Sequence, residues 1–375
     1  MSIPTIHVGC RGYSLGRLQA LVWCQGLEPV ACVDVDVEAA REGIRSLRGN
    51  VPAGLDQRIY TSITEARERY HAELCLVYAS TVAHASLAIE SLGLGMHTMC
   101  VKPMACTQDE FLAIMKAWRA HPDVMLVQGQ NNRWNPAAVK MRDYLCEEGG
   151  IGEILGGECR LWARQDLRRQ NKREADVYME GLFFHSAACH QLDQLVGAMG
   201  LPKYVTACMH RRNAPDLDLT GVWGTSGGQA LFEFENGACF TYMGTRAGHA
   251  DPFGLGSRWT GRWTFHGQKG DLRRDGGHFE LFRDGRCVEA FYVQDLHPGL
   301  IEDDRLMLDA IADALATGKG RDWLQSSLLG TWILMEACNE SARRGERLDL
   351  DAFRSRMMGT MASKTGPIAP SSVTV

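Results

Sequence analysis

The strongest constraint on the fold is a repeating pattern in the first 130 residues, where short β-branched runs alternate with helical stretches. Strands separated by helical segments are typical of βαβ units, which build a parallel sheet covered by helices on both faces. The pattern therefore predicts a doubly wound α/β domain. Its predicted strands are Ile3–Val8, Pro29–Val33, Leu74–Tyr78, His97–Cys100 and Val124–Val127, and its predicted helices include Leu15–Trp23, Glu38–Leu47 and His84–Leu92.

The rhythm changes after Asn135-Pro136, where a helix over residues 137–148 is followed by longer, alternating, aromatic-rich strands. Asn236-Gly237 predicts a hairpin with a tight type I′ turn, which needs two residues of positive φ, and Asp284-Gly285 predicts a second hairpin. The second half is therefore predicted as an α+β domain with a large, open, mostly antiparallel sheet. Helices are predicted over residues 304–316 and 326–343.

These patterns predict three segments. The doubly wound domain covers residues 1–130, and the α+β domain covers residues 131–361. The closing helices of the second segment could pack back on the first domain. Residues 362–375 are polar and contain proline, which predicts a disordered tail.

Composition excludes several classes of protein. The net charge is −5 and the isoelectric point is near 6.2, which gives no reason to expect a nucleic-acid binder. No apolar run approaches the ~20 residues of a membrane span, and the first thirty residues lack the pattern of a secretory leader. The 13 cysteines form no C-x-x-C pair, so reduced thiols are expected. The sequence predicts a cytoplasmic protein without a bound metal.

A glycine-containing turn follows the first predicted strand. Gly9 and Gly12 fit the second and third glycines of a dinucleotide fingerprint, and His7 stands at the first. Asp34, at the end of the second predicted strand, is placed to accept both ribose hydroxyls of the adenosine. Asp36 adds negative charge close by, and a 2′-phosphate would be repelled there. The turn therefore predicts binding of NAD rather than NADP.

A more specific motif lies at the end of a later predicted βαβ unit. Residues 95–103, Gly-Met-His-Thr-Met-Cys-Val-Lys-Pro, resemble the G-K-H-V-x-x-E-K-P motif of the glucose–fructose oxidoreductase / inositol dehydrogenase / rhizopine catabolism (Gfo/Idh/MocA) family. Other segments resemble the family's motifs in order and spacing across residues 3–350. They are Thr81-Val-Ala-His84 (N-x-x-H), Asn132-Arg-Trp-Asn-Pro136 (N-x-R-x-x-P), residues 149–153 (G-x-I-G-x), His190-Gln-Leu-Asp193 (H-x-x-D), and residues 316–318 and 341–345 in the closing helices.

The resemblance implies a Rossmann domain followed by a domain whose open sheet covers the substrate and often forms the subunit interface. We therefore expect a homodimer or homotetramer. It further implies that Lys102-Pro103 lies beside the nicotinamide, that His190 exchanges the hydroxyl proton, and that Asp193 hydrogen-bonds substrate or His190. The expected cofactor-binding residues are Gly9, Arg11, Gly12, Asp34, Thr81, His84, Lys102 and Pro103. The expected substrate-binding residues are Lys102, Arg133, Trp134, Trp162, His185, Ser186, His190 and Asp193.

The chemistry of these residue types supports the implied roles. Oxidation of a secondary alcohol requires removal of the hydroxyl proton, and histidine is suited to that task near neutral pH. A nearby ammonium, here that of Lys102, stabilises the developing alkoxide. His190 and Asp193 fall on one helical stripe, while Leu192 and Leu195 fall on the buried one, so the first pair is expected to point into a cleft rather than into water.

Three positions depart from the family's motifs. Val101 replaces the Glu of E-K-P, His7 replaces a glycine and gives the turn a Cβ, and Ser186 replaces the Asp that orients the catalytic imidazole in many members. His190 is then a weaker base unless Asp193 substitutes or His185 joins the site. Two consequences stay open: a substrate already activated toward oxidation, or a physiological direction toward carbonyl reduction.

Two further features carry less information. The charged run over residues 164–176 predicts a solvated loop, with an anionic-substrate clamp or a lid as the alternative. Trp162 lies on a strand that borders the substrate in the family and could stack on a sugar ring, whereas Trp259 and Trp263 are expected to pack the sheet.

The leading hypothesis is an NAD-dependent oxidoreductase that acts on a secondary alcohol or ketone of a sugar, glycoside, sugar derivative or cyclitol. A second hypothesis is an enzyme that holds NAD tightly and oxidises its substrate transiently, with glycosidic cleavage or epimerisation as the net reaction. A third is a non-catalytic NAD-binding sensor or assembly subunit, which Val101 and Ser186 motivate.

Overall fold

The computed structural model describes residues 2–146, 150–163, 182–209, 227–245, 260–294 and 301–358. Internal contacts divide this part of the chain into two units, residues 2–131 with 301–329 and residues 132–294 with 330–358. The predicted charged loop over residues 164–176, Trp259 and the predicted tail over residues 362–375 lie outside the described residues.

The elements follow in chain order. The strands are β1 Ile3–Val8, β2 Leu27–Val33, β3 Ile59–Tyr60, β4 Leu74–Val77, β5 His97–Val101, β6 Leu126–Gly129, β7 Ile154–Trp162, β8 Tyr204–Met209, β9 Gly227–Glu233, β10 Cys239–Thr245, β11 Arg262–Gly267, β12 Gly270–Asp275, β13 His278–Arg283, β14 Arg286–Tyr292 and β15 Leu348–Asp349. The helices are α1 Tyr13–Trp23, α2 Val37–Arg45, α3 Ile63–Arg69, α4 His84–Gly93, α5 Gln108–Arg119, α6 Pro136–Cys146, α7 Leu182–Ser186, α8 Cys189–Met199, α9 Ile301–Thr317, α10 Arg321–Arg344 and α11 Leu350–Met358.

The first unit contains a six-stranded sheet in the order β3-β2-β1-β4-β5-β6, with every pair parallel. This order confirms the predicted doubly wound α/β fold, and all four residues of β4 are buried because both faces of the sheet are covered. Chain order reverses between β1 and β4, and ligands of such sheets bind outside the carboxyl ends of the strands at that point. The sequence pattern missed β3, which has only two residues.

The second unit contains a nine-stranded sheet in the order β14-β13-β12-β11-β7-β10-β9-β8-β15. Its described pairs are antiparallel except β7 with β10, which confirms the predicted mostly antiparallel sheet. The two faces differ in burial. One cross-strand row is buried and consists of Ala207, Ala230, Tyr242, Cys159, Trp263, Arg274 and Phe279.

Helix α8 lies against the buried face of this sheet. The Tyr242 hydroxyl donates to Gln191 at 3.4 Å, and the buried Arg274 guanidinium donates to the Gln194 side chain at 3.0 Å. Trp263 is buried in the same row and stacks on Phe265, as expected for a tryptophan that packs the sheet. These contacts fix the helix that carries the predicted catalytic histidine.

The two predicted hairpins form with different turns. Gly237 has φ 84°, but Asn236 has no positive φ, and the Gly237 amide donates to Phe234. The predicted type I′ turn is therefore wrong here: a turn over residues 234–237 ends in one left-handed glycine, as in hairpins with a bulge. Asp284 and Gly285 have φ 51° and 73°, so the second hairpin has the type I′ turn.

The two predicted closing helices are confirmed. Both begin earlier than predicted, α9 at Ile301 and α10 at Arg321. In the first unit, Ala312 of α9 packs against Gly26. A Cβ added at position 26 would lie only 2.6 Å from the Ala312 Cβ. Within the described ranges, no helix has the length and apolar character needed to cross a membrane.

Candidate active site

Four predicted cofactor-binding positions lie at one edge of the parallel sheet. Gly9, Asp34, Thr81 and Lys102 follow the carboxyl ends of β1, β2, β4 and β5, which are neighbouring strands in the sheet. Carboxyl ends of parallel strands meet at a single edge, so these loops form one continuous surface across the point where strand order reverses.

The glycine turn packs closely against the strand beside it. Gly9 has φ 92°, and a Cβ there would lie 2.7 Å from the Tyr78 carbonyl oxygen, so only glycine fits. Gly12 precedes the first residue of α1, and a Cβ there would have no atom within 4 Å. The first turn of α1 carries no acidic residue. An open helix N-terminus of this kind suits a phosphate group.

The Asp34 carboxylate connects the glycine turn to the end of β2. It accepts the Cys10 amide at 2.9 Å and the Asp36 amide at 3.0 Å, and the Arg11 Nε atom lies 2.9 Å from its Oδ1. A carboxylate has about four acceptor positions, so these three contacts leave about one, on Oδ2. In this arrangement Asp34 has room for one ribose hydroxyl rather than the two that the sequence predicts.

His7 lies inside β1 rather than in the turn. Its side chain is buried, and its ring stacks on Tyr78 with the centroids 5.2 Å apart. Desolvation lowers the pKa of His7 to about 4, against weaker raising effects from the Ser14 and Gly9 backbone and from Asp34. The imidazole is therefore neutral at physiological pH and acts as a packing group under the turn.

The Lys102-Pro103 peptide bond is cis. The buried His84 side chain holds this turn, because its Nδ1 lies 2.8 Å from the Pro103 carbonyl oxygen and its Nε2 lies 2.9 Å from the Ala79 carbonyl oxygen. The Lys102 amide donates to Gly129, and Thr81 begins the short 3-10 turn that precedes α4. His84 therefore touches the loops after β4 and β5 and fixes the backbone beside Lys102.

A buried ion pair in the first unit was missed by the sequence reasoning. Arg17 in α1 lies 3.1 Å from Asp304 in α9, and Asn131 donates to the same carboxylate oxygen at 3.2 Å. Burial raises the pKa of Asp304 to about 6, although Arg17 opposes this shift. The Arg17 guanidinium also lies over the Tyr13 ring at 3.6 Å. Nothing in the local sequence distinguishes these charged residues from exposed ones.

In the second unit, Asp193 and Arg133 form a buried, two-pronged ion pair. Arg133 Nε donates to Asp193 Oδ2 at 2.8 Å and Nη2 lies 2.5 Å from Oδ1, which also accepts the Thr331 hydroxyl at 2.8 Å. The Asp193 side chain is 1% exposed. These contacts engage both carboxylate oxygens, which differs from the expectation that Asp193 points with His190 into a cleft. Arg133 uses its Nε and Nη2 atoms on Asp193, and its predicted contact with a substrate stays a prediction.

His185 has a carboxylate partner that the sequence reasoning did not name. Its Nε2 lies 3.0 Å from Glu336 Oε2 in α10, both side chains are less than 10% exposed, and the Trp332 ring is 5.7 Å away. Asn339 also donates to Glu336, at 3.4 Å. A signal was present in the sequence, because Glu336 is the one charged residue in the apolar run from Trp332 to Cys338.

The remaining predicted substrate residues are placed as follows. His190 is 9% exposed on α8, where every residue from Cys189 to Val196 is buried, so this helix does not present a polar stripe to water. Ser186 is the last residue of α7, and Trp134 is half-buried at the end of the 3-10 turn Asn131–Trp134. Trp162 lies on the face of β7 that does not meet α8.

Strand alternation explains the position of Trp162. In β7, Cys159 and Leu161 are buried on the face that meets α8, whereas Glu158, Arg160 and Trp162 alternate onto the opposite face. Trp162 therefore lies on the face of the sheet opposite the one that meets α8, and its contact with a substrate stays a prediction.

No group of three or more His, Cys, Asp or Glu side chains within the described ranges is placed to hold a metal ion. The polar groups at the edge of the first sheet are instead a helix N-terminus, a carboxylate and an ammonium. These suit a dinucleotide phosphate, a ribose and a reacting hydroxyl.

Comparisons with known proteins agree with the fold, a Rossmann-type domain followed in the chain by an open-sheet α+β domain. Residues 139–273 match the model of the GFO/IDH/MocA C-terminal domain. A solved levoglucosan dehydrogenase, in complex with NADH and levoglucosan, has the same fold at a TM-score of 0.74 and 17% identity, over 93% of this chain and 100% of that one.

Curated relatives match over shorter stretches. Inositol 2-dehydrogenase of Ralstonia nicotianae (strain ATCC BAA-1114 / GMI1000) is 24% identical over 55% of this chain and 57% of its own length. Glucose-fructose oxidoreductase domain-containing protein 1 of Mus musculus is 29% identical over 30% of this chain and 28% of its own length. The chain thus spans between a quarter and three fifths of these relatives. The match over residues 139–273 confirms the resemblance to the Gfo/Idh/MocA family that was read from the motifs.

Burial of neutral His7 predicts a pH-dependent loss of stability. The unfolded chain binds a proton at His7 near pH 6.5, whereas the folded chain does so near pH 4, so lowering the pH between these values favours unfolding. When the pH is lowered from 7 to 4, we expect the free energy of unfolding of His7→Gln to rise by about 3 kcal/mol relative to that of wild type. Urea unfolding at several pH values measures this difference.

The control for that experiment is His71→Gln, since the His71 side chain is 68% exposed. This variant should not reproduce the change expected of His7→Gln, because an exposed side chain is not desolvated on folding. A constant difference between His7→Gln and wild type from pH 7 to pH 4 would contradict the assignment.

Loss of the Asp193 carboxylate is expected to destabilise the second unit. Asp193→Ala removes the buried carboxylate that compensates the charge of the Arg133 guanidinium, which costs about 3–5 kcal/mol in the free energy of unfolding. Replacing both residues, as Asp193→Leu with Arg133→Met, should recover part of that loss. Asp351→Ala is the control, because Asp351 pairs with Arg354 at an 84% exposed position. Equal urea stability of Asp193→Ala and Asp351→Ala would refute the buried pair.

Proposed function

We propose that this protein is an NAD-dependent oxidoreductase. It transfers hydride between the nicotinamide and a secondary alcohol or ketone of a sugar, glycoside, sugar derivative or cyclitol. The names of the relatives support the substrate class, since they include an inositol 2-dehydrogenase and a levoglucosan dehydrogenase bound to NADH and levoglucosan.

The observation that carries the proposal is the row of loops at the carboxyl edge of the first sheet. A close-packed glycine turn follows β1, a carboxylate follows β2 and a lysine–proline turn follows β5, within the row of neighbouring strands β2-β1-β4-β5 that crosses the reversal of strand order. A dinucleotide that crosses such an edge has its adenosine ribose at the first-half carboxylate and its nicotinamide toward the other half. Lys102 stands on that other half.

The residues of the first unit fit the cofactor. Gly9 and Gly12 leave the N-terminus of α1 open for the pyrophosphate, and Asp34 Oδ2 can accept a ribose hydroxyl. Thr81, Pro103 and the His84 ring shape the loops beyond the strand reversal. When bound, the nicotinamide supplies the hydride acceptor or donor. The carboxylates of Asp34 and Asp36 favour NAD over NADP because they would repel a 2′-phosphate.

The proton is handled by two side chains in this proposal. Lys102 donates a hydrogen bond to the reacting oxygen and stabilises the negative charge that develops there, and His190 accepts the proton during oxidation or returns it during reduction. Asp193 is a positioning residue rather than a catalytic one, because its carboxylate holds Arg133 and Thr331 and thereby fixes the helix that carries His190.

To test this function, purified protein is incubated with NAD and a panel of polyols, glycosides and cyclitols, and NADH formation is followed by absorbance. Lys102→Ala should lower kcat/KM on the order of 10²–10³-fold, because it removes the group that stabilises the alkoxide. The dissociation constant for NAD should change little. Lys116→Ala, an exposed lysine in α5, is the matched control and should retain wild-type turnover.

Each alternative has its own outcome. The second hypothesis, transient oxidation, would be favoured if the protein retains NAD tightly and cleaves or epimerises its substrate while no net NADH forms. Firm NAD binding together with equal inactivity of wild type and Lys102→Ala on every alcohol and ketone would favour the non-catalytic sensor. Tighter binding of NADP than of NAD would contradict the cofactor choice.

We also propose that a second copy of the chain covers the open face of the nine-stranded sheet. The cross-strand row on that face is exposed or half-buried and consists of Thr206, Leu231, Thr241, Glu158, Thr264, Arg273 and Glu280. Leu231→Arg places a charge in the middle of this row and should convert a dimer or tetramer into a smaller species, as measured by light scattering. A wild-type monomer at micromolar concentration would contradict the proposal.

A further inference from the structure

An exposed aromatic ring stands directly after the glycine turn. Tyr13 is the first residue of α1 and is 56% exposed, and the Arg17 guanidinium lies 3.6 Å from the centre of its ring. The two residues are four positions apart in the helix, a spacing that brings side chains into contact. Arg17 therefore covers one face of the Tyr13 ring, and the exposed area belongs to the rest of the residue.

A buried carboxylate holds Arg17 in this position. Arg17 Nε lies 3.1 Å from Asp304 Oδ2, which also accepts the Asn131 side-chain amide at 3.2 Å, and the Arg17 and Asp304 side chains are 4% and 1% exposed. A buried ion pair by itself adds little to stability, because both charges lose their hydration. The contact of a cation with an aromatic ring is strongest where the cation is desolvated. This pair therefore fixes the ring of Tyr13, although the ring is partly exposed.

The two neighbours of Gly12 point to opposite halves of the parallel sheet. Arg11 pairs with Asp34, which follows β2, whereas the contacts that begin at Tyr13 lead to Asn131, which follows β6. A dinucleotide that crosses the reversal of strand order has its adenosine at the β2 half and its nicotinamide at the other half. Tyr13 therefore belongs to the nicotinamide half.

Lys102 stands on the same half and acts on Tyr13 through its charge. Desolvation of the hydroxyl and the charge of Asp304 raise the pKa of Tyr13, and the charges of Arg17 and Lys102 oppose this rise. Lys102 is thus within electrostatic range of Tyr13, and the exposed area of Tyr13 is its ring rather than its hydroxyl. A fixed aromatic ring between a phosphate-binding helix N-terminus and a lysine suits a planar heterocycle.

We infer that Tyr13 binds the nicotinamide by stacking, and that Arg17 and Asp304 are positioning residues that hold its ring for this contact. The inference rests on the proposed dinucleotide function. It adds to that function a group that orients the nicotinamide beside Lys102. It also gives the buried charged pair of α1 and α9 a role in cofactor binding, whereas a purely structural pair would affect every ligand of the first unit alike.

Calorimetric titrations with NAD and with ADP-ribose, which lacks the nicotinamide, test this contact. Tyr13→Ala should weaken NAD binding about tenfold, as expected for the loss of one aromatic stacking contact, and should leave the ADP-ribose constant within about twofold of wild type. Tyr13→Phe keeps the ring and should bind NAD about as well as wild type. Unchanged binding of ADP-ribose also shows that a variant retains a folded nucleotide site.

The positioning residues are tested by Arg17→Met and Asp304→Asn. Each variant loosens the ring without removing it, so each should weaken NAD binding by about two- to fivefold and keep the affinity for ADP-ribose. Arg17→Lys retains a cation near the ring and should recover part of the loss. If neither Arg17→Met nor Asp304→Asn shows a selective loss, the positioning roles are wrong.

The second unit offers a matched control. The Arg347 guanidinium lies 3.6 Å from the centre of the Tyr204 ring, and Arg347 Nε lies 2.6 Å from Glu233 Oε1. These three residues repeat the tyrosine, arginine and carboxylate of the first unit away from the glycine turn. Tyr204→Ala should therefore change neither the NAD nor the ADP-ribose constant.

The outcomes separate this inference from the proposed function. If wild type binds NAD but Tyr13→Ala weakens NAD and ADP-ribose equally, or weakens neither, the inference is wrong and the proposed function stands. Weak NAD binding by Tyr13→Phe would also overturn it, because the hydroxyl rather than the ring would then be required. The same selective loss in Tyr204→Ala would overturn it as well. If wild type binds neither NAD nor ADP-ribose, the proposed function itself fails.

Discussion

The first unit depends on the hydrogen bond from the Cys10 amide to the Asp34 carboxylate. This contact ties the glycine turn after β1 to the end of β2, so the position of the turn and the position of the ribose acceptor are set together. Gly9 completes the arrangement because any Cβ there would collide with the Tyr78 carbonyl oxygen. The edge of the sheet is thereby preorganised, and a ligand that binds across it does not have to order the turn.

The second unit depends on a comparable polar contact. Asp193, Arg133 and Thr331 come from three different segments, and each is buried, so the interaction is strong only while all three partners are present. His185 and Glu336 form another buried pair in the same unit. The Glu336 carboxylate thus pairs with the His185 imidazole, one residue before Ser186. Ser186 is the position at which many members of the family have an aspartate that orients the catalytic histidine.

Much of the fold was predictable because hydrophobic periodicity and turn residues are local properties. These local properties predict the alternating strands and helices from β1 to β5, the two hairpins and the closing helices. Asn236-Gly237 nevertheless adopts a turn with one positive φ, because bulged and tight hairpins share the same dipeptide preference. The partners of charged side chains were not predictable. Asp193 was expected to point with His190 into a cleft, but helix spacing alone does not reveal which buried position holds an ion pair.

In the proposed function, hydride moves directly between a sugar carbon and the nicotinamide. The most direct test uses myo-inositol and glucose deuterated at every carbon, incubated with the enzyme and NAD, with mass spectrometry of the recovered dinucleotide and sugar. We expect deuterium on the dinucleotide from at least one of these substrates, in proportion to the oxidised sugar. Oxidised sugar without deuterium on the dinucleotide would contradict it.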